Sequence, residues 1–150
     1  MKNETRIDSW CRQSGVIALR WRSGTLRVLL VTTGGGKRWV IPKGDVEEGL
    51  SAWRSAAKEA WEEAGVTGEV SRRLIGRYAY EKWKGCCTVL IYRLDVETIH
   101  DSWPEGHLRR RKWFSPRAAA ERVKDPVLAQ VIQDAARARA RRAASRRAAR

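Results

Sequence analysis

The chain has 150 residues, of which 43% are hydrophobic and 32% are charged. This length suits one domain with a real core and is too short for two ordinary domains. No apolar run approaches the length of a membrane span, so no membrane association is expected. The 31 Lys and Arg residues outnumber the 17 Asp and Glu residues, and the net charge of +14 favours phosphate-rich partners such as nucleotides, polyphosphates or nucleic acid.

The first ten residues, MKNETRIDSW, contain no apolar segment of the kind that a secretory signal needs. The cysteines are three in number, and Cys11, Cys86 and Cys87 include no C-x-x-C pair. An odd number at this spacing indicates neither a zinc site nor a disulfide framework. We therefore expect reduced, partly buried thiols in a soluble cytoplasmic protein.

Strand and helix signals alternate along the chain. β-branched residues and leucines predict two strands joined by a turn at Ser23-Gly24, and a third strand ends at Pro42 and Gly44. Apolar residues at helical spacing predict a last helix from about Pro126. The predicted strands are 15–20, 25–32, 38–41, 69–80, 86–96 and 110–114. The predicted helices are 51–64, one that starts with Ser115 as N-cap and Pro116 at its first position, and the one that begins near 126. This order predicts an α/β fold with a mixed central sheet and helices on both sides.

The first predicted helix carries three acids on one edge. Ser51 is its predicted N-cap and Gly65 its predicted C-cap. Spacings of three and four residues place Glu59, Glu62 and Glu63 along the same edge. Carboxylates this close repel each other, and a divalent cation that prefers oxygen ligands, Mg²⁺ or Mn²⁺, relieves the repulsion. The alternative is a surface helix whose acidic edge is merely solvated.

Residues 44–66 read GDVEEGLSAWRSAAKEAWEEAGV. This segment resembles the catalytic box of the Nudix hydrolase family, whose pattern is G-x5-E-x7-R-E-U-x-E-E-x-G-U, with U a bulky aliphatic residue. The positions that match in register are Gly44, Glu59, Glu62, Glu63, Gly65 and Val66. Two positions depart from the pattern, because Leu50 stands where the family has its first Glu and Lys58 stands where it has Arg.

The two departures share one explanation. An ion pair that anchors the helix loses its acid at Leu50 and keeps only a point charge at Lys58, which lacks the bidentate fork of Arg. If only this brace is lost, the metal site survives, whereas the alternative is a degenerate and inactive box. Glu47 or Glu48 is a candidate substitute for the missing acid.

The resemblance implies a Nudix-type diphosphohydrolase with a Nudix-like α/β/α sandwich. It implies that Glu59, Glu62 and Glu63 hold one or more Mg²⁺ or Mn²⁺ ions, with the Lys43 carbonyl as an additional ligand. The metal would neutralise the diphosphate and activate a water, and a glutamate acts as general base in some relatives. Some relatives also supply an acid where Glu105 stands, for which a solvated loop glutamate is the alternative.

Two segments resemble the diphosphoinositol polyphosphate phosphohydrolase branch of the family, whose members also hydrolyse dinucleoside polyphosphates. They are GKRWVIPKG, which leads into the box, and RRRKWFSPRAA, which follows later in the chain. We expect Arg38, Lys43, Arg110 and Arg111 to bind substrate phosphates. Because consecutive cations on a strand point to both faces, at most half of the RRRK run converges on one ligand. A solvated basic edge strand is the alternative for each residue taken singly.

Residues 136–150, ARARARRAASRRAAR, contain seven Arg and no acid, so half of the net charge lies in this segment. We treat 1–135 as a Nudix hydrolase domain and 136–150 as a basic Arg/Ala-rich extension. The extension is either a continuation of the last helix or a mobile tail, and we favour the tail. Weak nucleic-acid binding through it is expected. The oligomeric state is left open between monomer and homodimer.

Two other functions are open at this point. Within the family, the substrate is ADP-ribose, a nucleotide sugar, a nucleoside triphosphate or an RNA 5′ end. In another class, the chain is a catalytically weak nucleic-acid-binding module that kept the Nudix fold. The RRRKWF segment favours a highly phosphorylated small molecule over a nucleotide sugar.

Overall fold

A mixed sheet forms the middle layer of the molecule. The computed structural model describes residues 11–82 and 85–149. In chain order, the elements are β1 (Arg12–Arg22), β2 (Thr25–Thr32), β3 (Trp39–Val40), β4 (Lys43–Asp45), α1 (Ala52–Ala64), β5 (Val66–Lys82), β6 (Gly85–Ile99), β7 (Arg111–Phe114), α2 (Pro116–Arg122) and α3 (Pro126–Ala148).

The strands follow the spatial order β3-β2-β1-β6-β5, with β4 added beside β1 and β7 beside β2. β1 and β6 are parallel, and the other pairs are antiparallel. Parallel neighbours need a long crossover, which here contains α1. β5 and β6 form a hairpin that is longer than the sequence predicted, because β5 begins directly after the end of α1.

The two faces of the sheet carry separate cores. Val16 and Ala18 of β1 pack with one cluster, while Ile17 and Leu19 pack with the other, as strand alternation requires. The first cluster includes three alanines of α1, namely Ala56, Ala60 and Ala64. The second includes residues of α2 and α3, namely Ala119, Leu128, Ile132, Ala135 and Ala136. Helices therefore cover both faces, which confirms the predicted α/β/α sandwich with a mixed sheet.

The cysteines correct one expectation. Cys11 and Cys87 form a disulfide, with their Cα atoms 4.6 Å apart, and Cys86 is free. The parallel register of β1 and β6 pairs Arg12 with Thr88, and this register brings the two cysteines together. Spacing along the chain carries no information about that pairing, so the expectation of reduced thiols was wrong for two of the three. Among the helices of the described residues, none is long and apolar enough to cross a membrane.

The basic C-terminal segment corrects another expectation. α3 runs through position 136 without a break and ends at Ala148. Ala135 and Ala136 are buried against the sheet, and the Arg139 side chain forms an ion pair of 3.2 Å with Asp95 of β6. Packing and this ion pair extend the helix beyond its last large apolar residue. Our preference for a mobile tail is replaced by the helical alternative as far as the helix is described.

Candidate active site

The helix that carries the acids has defined ends. Ser51 caps its N-terminus, with the hydroxyl accepting a hydrogen bond of 3.3 Å from the Arg54 amide. Gly65 ends it in the left-handed conformation, with φ of 65°. A side chain at Gly65 would also collide with Trp103 and Arg111, so both its conformation and its surroundings require glycine. The cap positions are those that the sequence predicted.

Glu63 is the most deeply buried of the three predicted acids, with 6% of its surface exposed. The Lys43 amide donates a hydrogen bond of 3.0 Å to its Oε1. The Arg109 guanidinium lies 3.1 Å from its Oε2. Each carboxylate oxygen therefore has a partner, and the side chain is held in one place.

Glu59 lies beside it, half-buried, and none of the ion pairs in the described parts of the chain includes it. Burial, followed by the negative charges of Glu63 and Glu62, raises the pKa of Glu59 to about 7. Burial also raises the pKa of Glu63 to about 7, against the opposing effects of the Lys43 amide and Arg109. The site concentrates negative charge that the protein alone does not neutralise.

Gly44 lies where the backbone before α1 approaches the acids of the helix. A Cβ atom at Gly44 would overlap the carboxylate of Glu59. The backbone of β4 therefore lies directly against the Glu59 carboxylate, which would have to shift to admit any larger residue. On the neighbouring strand, Ser14 pairs with Gly44, and its buried hydroxyl has no hydrogen-bond partner among the described residues.

The chemistry of these donors fits a hard divalent cation such as Mg²⁺ or Mn²⁺. Carboxylates of Glu62, Glu105 and Asp45 all add to the repulsion at Glu59, and oxygen ligands are those that both ions prefer. In the described part of the chain, no three His, Cys, Asp or Glu side chains are already arranged as a metal-holding group.

Lys58, which stands where the family pattern has Arg, forms an ion pair with an acid of the loop before α1. Lys58 Nζ lies 2.6 Å from Glu47 Oε2 and 3.7 Å from Glu62 Oε1. The hydrogen bond to Glu47 is the largest cause of the raised pKa of Lys58. The Glu47 amide in turn donates to the Ser55 hydroxyl at 3.0 Å, which fixes the loop to the helix. The acid missing at Leu50 is thus replaced by Glu47, one of the two candidates from the sequence.

The loop between β6 and β7 closes over the end of α1. Trp103 Nε1 donates to the Glu63 carbonyl at 3.0 Å, and the Glu105 amide donates to the Glu62 carbonyl at 2.9 Å. Arg109 joins this loop to the acids, because its Nε lies 2.8 Å from Glu105 Oε1 while its other end reaches Glu63. Glu105 is therefore bound within the site rather than merely solvated.

The predicted phosphate-binding residues lie in different places. Lys43 lines a pocket of about 360 Å³ together with Gly44, Glu63 and Arg109. Arg110 lines an adjoining pocket of about 300 Å³ beside the three glycines 34–36. The remaining two lie outside both pockets: Arg38 is exposed, and Arg111 stacks on Trp103 at 3.9 Å and donates to the Ala64 carbonyl at 3.0 Å. Arg111 thus holds the C-terminal end of α1.

Arg109 was absent from the predicted set. The sequence showed it only as one of four consecutive cations, and its ion pair with Glu63 depends on a contact between elements far apart in the chain. The alternation argument does not apply to Arg109 and Arg110, because both precede β7, which begins at Arg111, and both line the same pocket.

A polar network supports Lys43 on the floor of the first pocket. Its Nζ donates to Gln13 Oε1 at 3.3 Å and to the Tyr80 hydroxyl at 3.2 Å. Tyr80 donates to the same Gln13 oxygen at 2.7 Å, and Gln13 Nε2 donates to Asp45 at 3.1 Å. The ammonium group therefore has a fixed position at the pocket that contains Glu63.

These features, a mixed sheet between helices and a glycine loop pressed on the acids of the following helix, define one class of protein. The chain belongs to the Nudix family, since the NUDIX domain matches residues 12–135. Among curated proteins, it is 31% identical over 115 residues to the mitochondrial Nudix hydrolase 16 of Arabidopsis thaliana, covering 71% of this chain and 63% of that protein. It is 32% identical over 100 residues to diphosphoinositol polyphosphate phosphohydrolase 3-beta of Bos taurus, covering 64% of this chain and 60% of that protein.

Solved structures agree with the fold. The C. elegans Ap4A hydrolase superposes with a TM-score of 0.66 at 21% identity, over 82% of this chain and 93% of that one. A structure from a study of the MutT proteins of Aliivibrio salmonicida and Vibrio cholerae also superposes on this chain. Its TM-score is 0.58 at 21% identity, over 83% of this chain and 98% of that one. The chain spans about half to two thirds of the length of the curated relatives it matches. The names of several relatives place them in mitochondria or chloroplasts, so the cytoplasmic location stays a prediction.

Proposed function

We propose that this protein hydrolyses a diphosphate linkage in a highly phosphorylated small molecule, of the dinucleoside polyphosphate or diphosphoinositol polyphosphate type, with Mg²⁺ or Mn²⁺. The observation that carries the proposal is the pair of half-buried and buried acids, Glu59 and Glu63, beside a pocket that also contains Lys43 and Arg109. Opposite charges within one pocket suit a substrate that brings phosphates to the cations and a metal to the acids.

Glu59, Glu62 and Glu63 are the residues that would hold the metal. When bound, the ion supplies neutralisation of the diphosphate and a lower pKa for an attacking water. Water adds across the P–O–P linkage: its oxygen bonds to one phosphorus, the bridging P–O bond breaks, and the leaving phosphate carries away the electron pair. The proton of the water passes to a base, for which the acids of the box are candidates.

The cations bind and orient the substrate. Lys43 is fixed by Gln13 and Tyr80, so its ammonium group meets a phosphate without a further loss of side-chain freedom. Arg109 lines both pockets, because it lies between the 32–36 segment and the acids. Arg110 extends the positive charge into the second pocket, where its guanidinium lies 5.7 Å from the centre of the Trp39 ring. Two adjoining pockets that each contain cations suit a substrate with phosphates at more than one place.

The proposal also draws on the relatives. One bears the name of a diphosphoinositol polyphosphate phosphohydrolase, and one superposed structure is that of an Ap4A hydrolase. Both names describe cleavage of molecules with several phosphates, which agrees with the cations that line both pockets of this chain.

A substrate panel tests the proposal. Dinucleoside polyphosphates, diphosphoinositol polyphosphates, ADP-ribose, nucleoside triphosphates and 5′-triphosphate RNA are each incubated with Mg²⁺, with Mn²⁺ and with a chelator. We expect metal-dependent turnover, with the highest kcat/KM on one of the first two classes, and its loss in Glu63→Gln but not in Glu69→Gln, which removes an exposed acid from β5. No turnover on any compound would overturn the proposal, and a preference for ADP-ribose would overturn its substrate class.

A further inference from the structure

A second cationic surface lies at the opposite end of β1 from the acids. A groove of about 370 Å³ separates the tip of the β1–β2 hairpin from α3. Lys43 pairs with Gly15 at the start of β1, and Trp21 lies six residues further along the same strand. At a rise of 3.3 Å per residue, this separates the groove from the acids by about 20 Å. The groove-lining residues are Trp21, Gly24, Thr25, Leu26, Pro116, Gln133, Ala136, Arg137 and Ala140.

The aromatic side chain of Trp21 is exposed at this groove. Trp21 has 36% of its surface exposed, on the same sheet face as Ile17 and Leu19, whose side chains are buried beneath α3. Leu26 is its cross-strand partner and forms part of the groove wall. An exposed ring with an apolar neighbour and an open groove in front of it offers a platform on which a planar group can stack.

Positive charge lines the α3 side of this platform. Arg20, Arg22 and Arg27 alternate with Trp21 and Leu26 along the hairpin, so their side chains lie on the other face of the sheet. Across the groove, Arg137 lines the wall, and Arg141 follows one helical turn later on the same side of α3.

The second half of α3 adds further arginines, and most of them have no acid partner among the described residues. Only Arg139 has an acid partner, Asp95, among the arginines of α3 in the described part of the chain. Five others are exposed and form no ion pair there: Arg137, Arg141, Arg142, Arg146 and Arg147. The last acid of the helix, Asp134, binds Gln130 at 2.9 Å and precedes the basic part. Such a helix gains from a polyanion that lies along it.

We infer that this groove binds a single-stranded nucleic acid, with a base stacked on Trp21 and the backbone phosphates on Arg137 and Arg141. A single strand suits the groove better than a duplex because its bases are free to stack on a side chain. A second copy of the chain is disfavoured, since two such surfaces would bring their arginines together. A membrane is disfavoured as well, because α3 has no large apolar residue after Ile132 with which to enter the lipid.

The test measures the fluorescence anisotropy of labelled 12-nucleotide oligouridine, oligodeoxythymidine and a duplex of the same length. The full chain is used with a chelator present, so that hydrolysis plays no part and the result is independent of the proposed enzyme. We expect the two single strands to bind more tightly than the duplex. Trp21→Ala should weaken binding by roughly fivefold to a hundredfold, whereas Trp21→Phe keeps a stacking ring and should remain near the wild-type affinity.

The arginines are tested through the salt dependence. Each phosphate contact to a single strand contributes about −0.7 to the slope of log K against log salt concentration. Arg137→Ala with Arg141→Ala should therefore reduce the slope by about 1.4, and the matched pair Arg73→Ala with Arg77→Ala, exposed on β5, should reduce it by much less. Circular dichroism and thermal unfolding establish that each variant is folded.

Several results would overturn the inference. These are an unchanged affinity in Trp21→Ala, an equal loss in the two arginine pairs, and tighter binding of the duplex. Dimers that dissociate in Trp21→Ala, seen by light scattering without nucleic acid, would assign the groove to a second copy. Trp21-dependent binding to phosphatidylserine vesicles without oligonucleotide affinity would assign it to a lipid surface.

Discussion

At the acidic end of the molecule, the buried carboxylate of Glu63 has a partner for each oxygen, and Arg109 also binds Glu105. At the other end, Arg137 and Arg141 of α3 are exposed and form no ion pair in the described part of the chain. The sequence shows clusters of charge at both places. The difference teaches that burial, rather than the number of charges, decides which cluster is held in a fixed geometry and which remains open to a large partner.

The largest effect is expected from breaking the fixed cluster. Arg109→Ala removes the cation from the buried Glu63, and truncation of one partner of a buried pair costs about 3 kcal/mol of unfolding free energy. The loss should be greatest at pH 8 and smaller at pH 5, because the pKa of Glu63 is about 7 and the protonated acid needs no cation. Urea denaturation at both pH values measures it.

Two variants control this prediction. Arg109→Ala combined with Glu63→Gln should recover most of the lost stability, since no charge is then left buried. Arg110→Ala, which removes an exposed neighbour, should leave the stability almost unchanged. If Arg109→Ala were as stable as the wild type at pH 8, the contrast drawn between the fixed and the open cluster would fail.

A smaller effect is expected where the loop meets the acids. Gly44→Ala places a Cβ atom in the space of the Glu59 carboxylate, and because this end of a flexible side chain can shift, the cost should lie near the lower end of the about 1–3 kcal/mol of overpacking. Hydrolysis should fall at the same time, because the carboxylate must move. Gly35→Ala is the matched control for stability, since no atom lies within 4 Å of the added Cβ and its φ is not positive. Equal melting temperatures for the two variants would contradict the close approach at Gly44.

The raised pKa values of Glu59 and Glu63 predict how the stability of the metal-free protein depends on pH. Both are raised from 4.5 to about 7, so the folded state binds more protons than the unfolded state between these pH values. The contribution of these groups to stability is therefore present below pH 4.5 and is lost as the pH rises towards 7. Glu59→Gln should flatten the fall.

Thermal unfolding in a chelator, from pH 5 to pH 8, measures this fall. Mg²⁺ should raise the melting temperature more at pH 8 than at pH 5, because the ion binds ionised carboxylates. A stabilisation by Mg²⁺ that is equal at both pH values would argue against ion binding at these acids.

The local features of the fold were predictable and the pairings between distant segments were not. Ser51 and Gly65 were recognised as helix caps because capping depends on a few adjacent residues. The disulfide between Cys11 and Cys87 depends on the parallel pairing of β1 with β6, and no spacing rule reports that pairing. Arg109 was missed for the same reason, since its partner Glu63 lies on a different element.

The smallest effect concerns the Lys58 brace, which shares features with both clusters. Its partner Glu47 is fixed in the loop, yet the two side chains are 44% and 50% exposed. Solvent screens an exposed pair strongly, so Glu47→Ala should lower the unfolding free energy only slightly. The effect of Glu47→Ala on kcat should be clearer, because the loop that carries Gly44 is then tied to α1 by fewer contacts.

Leu50→Glu, which restores the acid of the family pattern, should recover kcat in the Glu47→Ala variant, and Glu48→Ala serves as the exposed control. If Leu50→Glu gave no recovery while Glu47→Ala lost activity, Glu47 would act at the site by a route other than its ion pair with Lys58.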